Sequence, residues 1–162
     1  MLDSAIINNW VTQEPVIFPK GIQYWLPCLT FVAPTRQKQA NKKLKILLNK
    51  MADCFDQHVY LFWGGGLQHL RSVKYDLGAR AYHYHAYIGF EGCGVDKDKL
   101  NRFLQDNWDG DVDPVMDFKL MDSAYKINAS SYVTQKHSDY NLTIGHHWNR
   151  RACQKGRCGH WN

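Results

Sequence analysis

The stretch Ala81 to Phe90 reads Ala-Tyr-His-Tyr-His-Ala-Tyr-Ile-Gly-Phe, and it constrains the fold more than any other part of the chain. It is rich in aromatic residues and free of proline, which predicts a β-strand. Asp76-Leu-Gly-Ala-Arg just before it supplies turn chemistry, and Leu67 to Tyr75 predicts a strand on the far side of that turn. Two strands joined so closely pair antiparallel, because a parallel pair needs a long crossover. The chain is therefore expected to build an antiparallel sheet.

The remaining segments fill in helices around that sheet. Residues 1–24 read as an N-terminal arm, with Pro15 and Pro19 preventing a long helix. Trp25 to Ala33 predicts a strand stopped by Pro34, and Thr35 is placed to cap the helix that follows. In that helix Leu44, Leu47, Leu48 and Met51 recur on one face and lysines occupy the other. Val59 to Trp63 predicts a strand bounded by Gly64-Gly65-Gly66. Asp96 to Asn107 predicts a short helix with Leu100, Phe103 and Leu104 inward, and Gly110 to Leu120 an edge strand containing Pro114. A helical region opens at Asp122 or Ser123, runs to about Asp139, and gives way to a basic tail. The expected fold class is α+β, a central antiparallel sheet flanked by helices. The expected division is an arm over 1–24, one domain over 25–140 and the tail over 141–162.

Length and hydrophobic content agree with a single core: 162 residues, 44% hydrophobic, exclude a disulfide-stapled miniprotein, a coiled coil and a disordered tail. Net charge is +5, unevenly spread. Arg36 to Lys50 holds six basic residues and no acid, Asn141 to Asn162 holds four and no acid, and the rest of the chain is net acidic. Two basic segments on a mildly acidic body favour an anionic partner, although for the lysine run itself a solvated helix face is the preferred reading. No leader-like segment opens the chain, and no apolar run approaches the ~18 residues that span a bilayer, so no membrane association is expected. Five cysteines read as reduced thiols of a cytoplasmic protein, with Cys28, Cys54 and Cys93 as buried packing residues. His146, His147, Cys153, Cys158 and His160 form a loose zinc-like set, but the spacing lacks a tight Cys-x2-Cys pair and a basic, DNA-contacting tail is the preferred reading.

Chemistry concentrates in two places. On a strand, side chains alternate, so His83 and His85 share one face while Tyr84, Ala86 and Ile88 face the core. Two imidazoles so placed can converge on one metal ion. Further on, Tyr132 and Lys136 are four residues apart and lie side by side on a helix. A phenol is a weak nucleophile at its ordinary pKa of ~10, and a neighbouring ammonium and a metal-polarised phosphate would both favour its attack.

In this order, His83-Tyr84-His85 followed by Tyr132 and Lys136 resembles the HUH endonucleases that initiate rolling-circle replication, notably those of small single-stranded DNA phages, filamentous ones included, and of plasmids. The resemblance spans roughly residues 25–140. It implies an RRM-like sheet in which His83 and His85 hold Mg²⁺ or Mn²⁺ against the scissile phosphate of single-stranded origin DNA. It further implies that Tyr132 attacks to give a 5′-phosphotyrosine link and a free 3′-hydroxyl, that Lys136 offsets charge or helps deprotonate Tyr132, and that basic faces meet phosphates. Host polymerase and helicase would be its partners. Asp76 is the expected third metal ligand, with Gln68, His69 and Gln135 as alternatives. A single nucleophile is the simpler reading, and Tyr125 and Tyr140 are the other tyrosines nearby. Two other functions fit the same features: an RRM-like nucleic-acid-binding module without catalysis, whose sheet aromatics would stack on bases, and the same strand-transfer chemistry in a transposase or relaxase.

Overall fold

A computed structural model describes residues 23–70, 78–90, 95–117 and 139–147. The elements are β1 (Gln23–Thr30), α1 (Gln37–Cys54), β2 (Val59–His69), β3 (Arg80–Phe90), α2 (Lys97–Asn107), β4 (Met116–Asp117) and β5 (Asp139–Gly145). The strands form one sheet in the order β4-β1-β3-β2-β5, every neighbouring pair antiparallel. The fold is α+β, as the hairpin predicted, with β3 in the middle.

β3 reads the sequence pattern out directly. Tyr82, Tyr84, Ala86, Ile88 and Phe90 enter the main core with the inner face of α1 (Ala40, Leu44, Leu47, Leu48, Met51) and with Leu100, Leu104 and Trp108. Tyr84 donates its hydroxyl to Asn41 Oδ1 at 2.7 Å, tying the central strand to the helix. Trp108 seals the end of α2 by donating its indole N–H to Thr30 O at 2.7 Å. Asp96 caps α2 by accepting from Lys99 N at 2.8 Å.

The glycines do not end β2. The strand runs through Gly64-Gly65-Gly66 to His69, paired with β3 along its whole length. Gly65 faces the core, where a Cβ would lie 2.6 Å from the Tyr82 ring and 2.7 Å from His83 O. The glycine thus makes room for the tyrosine instead of breaking the strand, which is why composition alone misplaced the boundary.

Other boundaries also shift. Thr35 is not the cap of α1; Arg36 is, and Thr35 instead donates to Ala33 O and pairs its backbone with β3 through Tyr82 N and Arg80 O. The edge strand shrinks to Met116–Asp117, with Val112 bridging Leu29. Asp139 opens β5 instead of ending a helix, and Asn141 to Gly145, expected in the tail, pair with β2. Cys54 is exposed, not buried, because it falls on the outer side of the last turn of α1. Among the described residues no helix is long and apolar enough to cross a membrane.

Candidate metal and phosphate site

His83 and His85 stand half-buried on the face of β3 opposite the main core. Their rings are 5.2 Å apart, centroid to centroid, and nearly perpendicular. That spacing lets both reach one cation at the ~2.1 Å typical of metal–imidazole bonds. His83 Nδ1 lies 2.7 Å from Gly66 O. A carbonyl can only accept, so Nδ1 carries the proton and the lone pair of the neutral ring is on Nε2. Metal-binding histidines are usually oriented in this way, by a bond from the other ring nitrogen to a carbonyl or carboxylate. Burial holds the His83 pKa below its ordinary 6.5, with the Gly66 bond acting in the opposite sense. The ring is therefore kept in the neutral form that ligation requires. Trp25 stacks on His85, centroids 6.4 Å apart and planes 17° from parallel, and fixes the second ring.

Strand register decides what stands beside the pair. Gly66 lies opposite His83 and Gly64 opposite His85, so β2 sends no side chain between them and β5. On the other side Thr30 pairs with His83, and His85 faces a bulge at Pro27-Cys28. The Cys28 thiol, pushed up to about 11 by burial and then by Asp113, stays protonated and is a poor ligand.

The candidate third ligands separate by parity. Gln68, half-buried, pairs with Ala81 and shares the histidine face, a diagonal neighbour of His83. His69 pairs with Arg80, alternates to the opposite face and is exposed. Asp76, Gln135, Tyr125, Tyr132 and Lys136 lie outside the described residues, as do Cys93, Cys153, Cys158 and His160. Among the described residues no three His, Cys, Asp or Glu side chains are grouped to hold a metal ion. A described ligand set around His83 and His85 therefore needs a neutral donor such as Gln68.

Two expectations about the surroundings change. The lysines of α1 sit on the far side of the sheet from the histidines, because α1 packs on the core face. Lys43 is also paired with Asp109, and Lys45 donates to Ile144 O. These residues do not flank the histidine pair. His147, expected in a tail, is held by both ring nitrogens, Nδ1 at 3.2 Å from Asp53 and Nε2 at 2.8 Å from Asp56. Its backbone N–H donates to His58 Nδ1 at 3.1 Å. It fastens the end of β5 to the end of α1.

The positions of Trp25 beside His85 and of Gly66 O under His83 were missed in the sequence. Both follow from pairing partners more than fifteen residues away, and the only local signal was the alternation itself. No protein-family model matches the chain, and no curated protein or solved structure is significantly similar to it.

Proposed function

We propose that this protein nicks and joins single-stranded DNA at a replication origin, using a divalent metal and a covalent phosphotyrosine intermediate. The observation that carries the reading is the His83–His85 pair on the central strand, with His83 anchored through Nδ1 so that its lone pair is on Nε2. His83 and His85 would hold Mg²⁺ or Mn²⁺, with Gln68, Asp76 or Gln135 as the third ligand. A cation bound there would supply Lewis-acid polarisation of the scissile phosphate.

Tyr132 is the proposed nucleophile and Lys136 its neighbouring cation. The phenol oxygen forms a bond to phosphorus, the bond from phosphorus to the 3′ oxygen breaks, and the phenol proton ends on that oxygen. Joining reverses these changes with a new 3′-hydroxyl. One phosphodiester is exchanged for another, so no external energy source enters. The burial of Phe62 and Tyr87, 1% and 0% exposed on the histidine face, counts against a purely binding sheet, because neither ring is presented for base stacking.

The test is direct. The protein is incubated with labelled single-stranded oligonucleotides covering candidate origin hairpins and Mn²⁺, then run on a denaturing gel. A covalent adduct is expected with the native sequence and lost in Tyr132→Phe, His83→Ala and His85→Ala. No adduct from the native protein overturns the activity, and an adduct that persists in Tyr132→Phe overturns the nucleophile.

A further inference from the structure

The strand β5 places one more phenol at this site. Tyr140 pairs with Gly64, and Gly64 pairs with His85. Residues directly opposite in antiparallel strands share a face, so Tyr140, Gly64 and His85 form one row across the sheet. The Cα atoms of Tyr140 and His85 are two interstrand spacings apart, about 10 Å. The middle position of the row has no side chain. A tyrosine and a histidine leaning across a glycine from either side can therefore meet a single phosphate between them.

The other described tyrosines are not so placed. Tyr24, Tyr82 and Tyr84 belong to the main core, on the opposite face. Tyr82 gives its hydroxyl to Asp139 and Tyr84 to Asn41. Tyr87 is completely buried, and Tyr60 lies four residues further along β2, opposite Gly89. Tyr140 is half-buried. Its position is well fixed. The preceding Asp139 accepts from Gln37 and Tyr82 on the core face, and β5 is fastened beyond its end by His147.

We propose that Tyr140 is a second phenol of the reaction site, donating its hydroxyl to a non-bridging oxygen of the phosphate that faces His83 and His85. This rests on the reading of the histidine pair given above. The role is electrostatic: a donor aimed at an oxygen on which charge grows during the exchange at phosphorus.

Two measurements test it. Protein uniformly labelled with fluorotyrosine is titrated with Mn²⁺ alone, and the Tyr140 fluorine resonance is identified by its absence in Tyr140→Phe. Paramagnetic broadening of that resonance, abolished by His83→Ala together with His85→Ala, is expected. If other resonances broaden through the histidines while that of Tyr140 stays sharp, the proposal falls and the metal site stands. If Mn²⁺ broadens nothing, the metal site fails and the proposal with it. In single-turnover cleavage, Tyr140→Phe is expected to slow the step by about 10²-fold, as when one donor to a developing oxyanion is removed, with oligonucleotide affinity in EDTA unchanged. Cleavage at the native rate overturns the assignment. So does a loss accounted for by weaker binding alone.

Discussion

The two faces of β3 use adjacent residues for opposite purposes. On one face Tyr84 packs against α1 and Trp108 and Tyr82 against Trp63 and Tyr84, and burial raises both phenol pKa values well above the ordinary one. On the other face His83 and His85 remain half-exposed, and burial acts on His83 in the reverse sense, lowering its pKa. The physics is the same in both cases, since removal from water disfavours whichever form is charged. For a tyrosine this preserves an inert hydroxyl, and for a histidine it preserves a ligating lone pair. One strand can thus be a packing element and a chemical one, with one residue's displacement separating the roles.

Substitutions on the two faces should therefore separate stability from chemistry. The largest effect on folding is expected from Tyr84→Ala, which removes a fully buried ring and should destabilise by about 3–5 kcal/mol in denaturant unfolding. His85→Ala, one residue away, should leave the unfolding midpoint nearly unchanged while abolishing Mn²⁺ binding. Equal losses of stability in both variants would erase the distinction between the faces. Gln68→Ala is expected next, weakening Mn²⁺ binding by about 10–100-fold in calorimetry with little change in stability. An unchanged affinity would remove Gln68 from the ligand set and leave Asp76 and Gln135.

His147→Ala sharpens the comparison at the other end of the sheet. Its ring is nearly buried between Asp53 and Asp56, but both carboxylates are more than a third exposed, so about 1 kcal/mol of stability is expected to be lost. The smallest effect is one of pH. The folded state binds its His83 proton less readily than the unfolded state, so stability rises with pH through the interval between the lowered value and the ordinary 6.5, and falls as the solution is acidified through it. An NMR titration of the His83 ring should show a midpoint below that of an exposed histidine, and His83→Gln should flatten the acid limb of the stability curve.

Much of the scaffold was legible in the sequence because its signals are local. The inner face of α1, the short helix α2 and the alternation of β3 depend on helical or strand periodicity and on turn residues. Errors arose where a distant residue overruled a local signal. Gly64 to Gly66 read as a break but are paired through, because the Tyr82 ring occupies the space a side chain at 65 would need. The lysines of α1 form the solvated helix face that was their preferred reading, and their alternative reading as phosphate contacts beside the histidines fails because the apolar stripe between them faces Tyr84 and so puts them behind the sheet. Asn141 to Gly145 read as tail because a half-buried edge strand with polar residues carries little periodic signal.

What the sequence determined by itself was that His83 and His85 share a face and that Tyr84 does not. Side-chain alternation in a strand requires nothing beyond the backbone of those residues. What only the tertiary structure decided was their company: the Gly66 carbonyl under His83, Trp25 on His85, Gln68 on the same face with His69 turned away, and Tyr140 across Gly64. Each of these depends on register between strands distant in sequence, and a slip of one residue would exchange every neighbour for one on the opposite face.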